Sequence, residues 1–317
     1  MHRFIAAATA LVLIAAACAD GSKDLAAEPS GSAETGRPGS VAMSKPTPAE
    51  RPAILPVLAN SELSRGPNRF LFSLTDGSGS LIAAPDVGVR LAFYEEGQHP
   101  VDPSFDAHAR FIWTIEDQRG LYVADADFPA AGRWEARLEA TFPDGTSQSV
   151  RVRFDVLEQS WTPALGAPAP AVATPTLADV DGDLSRLSID RQPMERLYET
   201  SAADALEAGD PFVLVFATPA FCQSATCGPM LEMVKRMAED HPELTFINVE
   251  PYVMEYSEGS LRPVLTAQGS LQPAPWTDAW GLLTEPYVVV VDSDGRVHAK
   301  LEVAFAPGEL AVALEGL

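Results

Sequence analysis

Two cysteines stand close together in Cys222-Gln223-Ser224-Ala225-Thr226-Cys227, with four residues between them. Thiols at such spacing can form and exchange a disulfide through a mixed-disulfide intermediate. As thiolates they can instead bind a soft metal ion. In a regular helix five residues rise about 7.5 Å. That exceeds the roughly 7 Å limit on Cα separation for a disulfide. If the two sulfurs bond, the segment between them is therefore a loop, and the helix begins after it. Gly228-Pro229 agrees, because proline favours the first helical position. The spacing of Met230, Leu231, Val234 and Met237 predicts a helix over 229–239. A cysteine just ahead of that helix would sit where the dipole favours thiolate.

Other reactive side chains are less well placed. His99 and His108 fall in polar surroundings and read as solvated. His241 lies in a His-Pro turn and His298 on a predicted strand. Asp179, Asp181 and Asp183 alternate like the start of a calcium loop. The glycine is at the fourth loop position, however, and Asp190 stands where a bidentate Glu is usual, so a solvated loop is the better reading. Met230, Met233 and Met237 read as helix core.

The third cysteine belongs to the N-terminus. His2 and Arg3 are followed by an apolar run from Phe4 to Ile14 and by Ala15-Ala16-Ala17-Cys18. This reads as an export signal, too short for an ordinary membrane span. The small residues before Cys18 resemble a bacterial lipobox, which implies a diacylglycerol on the Cys18 sulfur. Ala15 stands where Leu is usual there, and the three alanines also fit an ordinary A-x-A cleavage site. Either way an extracytoplasmic, cell-envelope location is expected, with a lipid anchor to the membrane in the first case. In such a compartment two remaining thiols pair.

The elements that must hold the cysteine pair come in two units. Residues 19–60 are rich in Ser, Gly, Pro, Ala and Glu and read as a flexible tether. Residues 61–158 hold short alternating runs such as Val150-Arg151-Val152-Arg153-Phe154-Asp155-Val156, separated by Asp-Gly, Glu-Gly and Arg-Gly turns. Six or seven strands in that length predict an all-β, immunoglobulin-like sandwich without an internal disulfide. Pro163, Pro168, Pro170 and Pro175 mark a Pro/Ala-rich linker over 159–175. From 176 to 317 continuous apolar runs (Phe212–Ala217, Leu244–Val249, Pro286–Val291) alternate with helical patterns. This predicts an α/β unit able to fold by itself.

Within that α/β unit, Val213-Leu214-Val215-Phe216-Ala217-Thr218-Pro219-Ala220-Phe221-Cys222 resembles the first central strand and reactive cysteine of the thioredoxin superfamily. Thr284-Glu285-Pro286-Tyr287-Val288-Val289-Val290-Val291-Asp292 resembles that superfamily's proline loop and following strand. The resemblance covers about residues 195–317, and is strongest to secreted bacterial thioredoxin-like proteins. It implies a thioredoxin-like fold, a cis Pro286 beside the cysteines, Cys222 as nucleophile and Cys227 as resolving partner. It departs from the superfamily in having four rather than two residues between the cysteines. The same departure leaves a static disulfide as an open alternative. Sco-type copper chaperones share the fold, but use three intervening residues and a distant histidine. A peroxiredoxin would place a Ser or Thr three residues before its cysteine. Ser224 stands so to Cys227, but Pro219 is one residue out of register.

The whole chain has 317 residues, with 44 acidic and 22 basic side chains and a net charge of −22. Such a surface repels phosphate backbones, so nucleic acid is excluded as a partner class. An apolar fraction of 46% excludes wholesale disorder. The expected activity is thiol–disulfide exchange with protein thiols or disulfides through Cys222, Cys227 and Pro286. No cofactor is expected. The alternatives are a copper-binding module and a non-catalytic interaction scaffold.

Overall fold

The computed structural model describes residues 54–97, 102–222 and 224–317. The run expected to be an export signal, Cys18, residues 19–53 of the expected tether and His99 lie outside them.

The first seven strands are β1 (Ile54–Leu58), β2 (Gly66–Asp76), β3 (Gly88–Glu95), β4 (Phe105–Ile115), β5 (Arg119–Phe128), β6 (Gly132–Thr141) and β7 (Ser147–Val156). Their order is β1-β2-β5-β4-β3-β6-β7, with every pairing antiparallel. β4 makes the turn between layers. Its first half, to Ala109, pairs with β3, and its second half, from Arg110, pairs with β5. The two halves of the sheet thereby face each other as a β-sandwich. Phe70 of β2 lies 5.2 Å from both Phe93 of β3 and Phe154 of β7, ring centre to ring centre. Trp134, Phe72, Tyr122 and Phe128 complete this core. The alternation read from β6 is borne out: Trp134, Ala136, Leu138 and Ala140 are buried, and the residues between them face outward.

β1 corrects the tether, which was expected to run to residue 60. Pro56 lies in the middle of this strand. β1 is an edge strand paired only with β2, where a residue lacking an N–H is tolerated.

The remaining elements are α1 (Ala202–Ala208), β8 (Phe212–Phe216), α2 (Cys227–Asp240), β9 (Thr245–Val249), the hairpin β10 (Met254–Ser257) and β11 (Ser260–Pro263), α3 (Pro275–Ala279), β12 (Tyr287–Val291), β13 (Val297–Glu302) and α4 (Pro307–Leu314). Strands outnumber helices here, and only α2 exceeds eight residues. The main sheet has the order β13-β12-β8-β9. β8 and β9 run parallel, and β12 is antiparallel to both β8 and β13. β8 and β12 are buried along their whole length, as their unbroken apolar runs require. The β10–β11 hairpin has no counterpart in the sequence reading, because each of its strands is only four residues long.

The stretch 159–175 is not a free linker. The Gly166 and Ala169 N–H groups donate to Val297 and Gly295 carbonyls, and Pro168 bridges Arg296 beside β13. Glu62, just before β2, accepts from the Trp161 and Thr162 N–H groups and from the Ser160 and Thr162 hydroxyls. Burial alone would raise the Glu62 carboxyl. These donors and the nearby Lys300 ammonium outweigh it and hold the carboxyl below its usual range.

Each unit keeps an apolar core of its own, and the two also share a third. One apolar cluster contains Leu71, Ile112, Leu121 and Val123 from the outer face of the sandwich. It also contains Met230, Leu231 and Val234 of α2, Leu310 of α4, and Cys227. Polar contacts reinforce the junction. Arg69 meets the Glu309 carboxylate at 3.1 Å, both side chains being largely buried, and donates to the Ala304 carbonyl at 3.0 Å. Glu309 also accepts the Ala306 N–H at the start of α4. Glu302 accepts from the Asn60 amide and from the Ser61 hydroxyl and N–H. The sequence hides this joint because Leu71 and Val123 alternate with core residues. A strand buried on both faces in its middle shows no clean period.

Candidate functional site

Cys222 and Cys227 lie at the C-terminal end of β8, where the chain leaves the sheet for α2. They form a disulfide pair with Cα atoms 6.0 Å apart. Ser224, Ala225 and Thr226 between them are not helical, as a bond at this spacing requires. Ala225 takes a left-handed backbone with φ of 60°. The helix starts at Cys227, two residues earlier than Pro229 indicated, with Thr226 as its N-cap residue. Gly228 and Pro229 thus fall inside the first turn, where a missing N–H costs nothing.

The two sulfurs differ in exposure. Cys227 is completely buried against the α2 core, and Cys222 is partly exposed. The Cys227 backbone N–H points at the Cys222 Sγ at 3.3 Å, and the Ser224 hydroxyl lies 3.2 Å from the same sulfur. Ser224 is held in turn by the Thr226 hydroxyl at 2.7 Å, while Thr226 donates to the Val303 carbonyl. From the sandwich, Arg119 at the start of β5 donates to the Ser224 carbonyl at 3.4 Å. Hydrogen-bond donors and a helix N-terminus around Cys222 are what a thiolate there needs.

Pro286 follows Glu285 through a cis peptide bond and lies just before β12. Its carbonyl accepts the Val303 N–H at 2.9 Å. Sequence reasoning missed its neighbour. The Glu285 carboxylate is buried, and one of its oxygens lies with the two sulfurs in a group whose members are all within 4.8 Å of one another. Tyr252 donates to Glu285 Oε2 at 2.6 Å. Burial, followed by the Glu285 hydrogen bond and charge, pushes the Tyr252 phenol well above its usual range. Glu285 stands in the quoted Thr284-Glu285-Pro286 segment, but an acid before a proline gives no period or motif signal.

A second polar cluster lies at the same end of the sheet. Glu250 directly follows β9, is 3% exposed, and accepts the Ile189 N–H on Oε1 at 3.1 Å. Among the described residues its Oε2 has no hydrogen-bond partner, and neither does the Thr218 hydroxyl. Burial pushes the Glu250 carboxyl up to about 7. The Asp190 charge adds to this, while the Ile189 N–H and the nearby Thr218 hydroxyl only partly oppose it. Asp190 itself pairs with the buried Lys235 of α2 at 2.8 Å.

Among the described residues no histidine joins the sulfurs. His241 pairs with Glu243 at 3.2 Å, and His298 lines a groove between β13, α4 and the sandwich. His108 lies on β4, and Asp179, Asp181 and Asp183 lie in and beside short 3-10 turns.

No family model matches the chain, and no curated protein matches it. Among solved structures it is similar to the solution structure of the fibronectin type-III domain of human fibronectin type III domain containing protein 3. That likeness has 17% identity and a TM-score of 0.22, and covers 37% of this chain and 94% of that one.

Proposed function

We propose that this protein is an extracytoplasmic, membrane-tethered thiol–disulfide oxidoreductase whose α/β part is thioredoxin-like. The reading is supported by the resemblance around Cys222 and Pro286. It is also supported by the β13-β12-β8-β9 sheet and by the placing of the cysteines where β8 passes into α2. The observation that carries it is the asymmetry of the pair, with Cys222 reachable and Cys227 buried behind it.

In the reduced protein the Cys222 thiolate attacks one sulfur of a substrate disulfide. The substrate S–S bond breaks, one substrate thiolate leaves, and a mixed disulfide remains on Cys222. Cys227 then loses its proton and attacks the Cys222 sulfur. The second substrate thiolate leaves, and the protein ends oxidised while the substrate carries two thiols.

The test is insulin reduction by the reduced protein. Wild type is expected to turn over, Cys222→Ser to fall to the uncatalysed rate, and Cys227→Ser to accumulate a mixed disulfide. The couple should have a potential above the roughly −300 mV typical of structural disulfides. No turnover by wild type, with a bond that resists mild dithiol, would identify a static staple instead.

The tether is part of the same proposal, resting on the Ala15-Ala16-Ala17-Cys18 run. Mass spectrometry of the mature protein is expected to find Cys18 as a lipid-bearing N-terminal residue. Cleavage elsewhere, or an unmodified Cys18, would remove the anchor and leave the redox reading standing.

A further inference from the structure

The group formed by Cys222, Cys227 and Glu285 has the donors of a metal site as well as of a redox pair. We propose that the reduced protein binds one zinc ion through the Cys222 and Cys227 sulfurs and a Glu285 carboxylate oxygen, leaving a fourth position open.

The three donor atoms come from two separate segments and lie within 4.8 Å of one another. A tetrahedral zinc with Zn–S of about 2.3 Å and Zn–O of about 2.0 Å has donor–donor edges of about 3.5–3.8 Å. Two sulfurs freed from a disulfide separate to about that distance through their own van der Waals repulsion. Little further movement is then needed. Cys227 and Glu285 are already buried, so water is largely excluded from the inner side of the site, while the partial exposure of Cys222 leaves an entry path.

The donor set selects the metal. Two thiolates alone suit a soft ion such as monovalent copper, and a distant histidine would strengthen that preference. The third donor here is a carboxylate, a harder ligand that shifts the preference toward borderline divalent zinc. The Tyr252 hydroxyl on Glu285 Oε2 fixes the carboxylate from outside, as outer hydrogen bonds do for metal ligands. Two thiolates and a carboxylate around Zn²⁺ leave one net negative charge, which the start of α2 favours. Binding consumes no electrons. Each thiol gives up its proton to solvent, so zinc uptake releases protons. The oxidised protein lacks both thiolates and is not expected to bind.

The experiment uses the full chain, reduced with a phosphine and titrated with zinc against a chromophoric chelator. One equivalent should bind, with both thiols protected from a thiol reagent. Cobalt in place of zinc should give a thiolate-to-metal charge-transfer band. Glu285→Gln should weaken binding by at least about tenfold, and Tyr252→Phe by about tenfold. Failure of reduced wild type to take up an equimolar amount of zinc would overturn the proposal. So would Glu285→Gln binding as tightly as wild type, which would leave only a pair of thiols. If Glu285→Gln does not fold, an unchanged zinc affinity in Tyr252→Phe overturns the carboxylate's part. Insulin reduction in chelator-treated buffer is scored separately, so loss of the zinc site and loss of the redox reading give different results.

Discussion

Leu71→Ala is expected to lower the stability of the whole folded part, sandwich and α/β unit together, by about 2–5 kcal/mol. Leu71 lies on β2 with no exposure, but it points away from the phenylalanine core of the sandwich. It belongs instead to the cluster shared with α2, α4 and Cys227. Truncation removes three carbons and leaves a cavity that the rigid outer face of a sheet fills poorly. Both effects act at the junction, so urea unfolding followed by Trp134 in the sandwich and by Trp280 in the α/β unit should shift together. Two separate transitions, with only one moved, would mean that the units unfold independently despite their shared cluster. By the same argument a fragment of residues 176–317 exposes the α2 and α4 faces that Leu71, Ile112, Leu121 and Val123 cover. It should be less stable than the same segment in the full chain.

Between about pH 4.5 and pH 7 the stability of the protein is expected to fall by about 3 kcal/mol through Glu250 alone. The carboxyl sits near 7 in the folded protein against 4.5 for an ordinary one, chiefly because burial opposes its charge. A raised folded value means that the unfolded chain gives up this proton first. The stabilising contribution is therefore complete below pH 4.5 and is lost as the pH rises through 7. Glu250→Gln mimics the neutral acid and removes this dependence. It should match wild type near pH 4.5 and exceed it above pH 7, in denaturant titrations run at several pH values. A constant difference between the two proteins across that range would show that Glu250 is not the titrating group. The Ile189 N–H accepted by Oε1 is retained in the variant, so an overall loss of the fold is not expected.

Much of the architecture was legible because periodicity is a local property. Trp134 to Ala140 alternates since one face of β6 meets the core and the other meets water, and the run from Phe212 to Phe216 is unbroken since both faces of β8 are covered. The loop between the cysteines followed from arithmetic on helix rise. What the sequence could not disclose depends on which faces meet after folding. Leu71 and Val123 look like ordinary strand residues, and only the docking of α2 and α4 makes them half of a joint. Residues 159–175 read as spacer because prolines break local structure, yet the edge of β13 offers backbone partners that no local pattern predicts. Glu285 and Tyr252 are 33 residues apart. Only the folding of β12 beside β8 brings that carboxylate to the sulfurs, and only burial at the end of β9 turns Glu250 from an ordinary acid into one that titrates near neutrality.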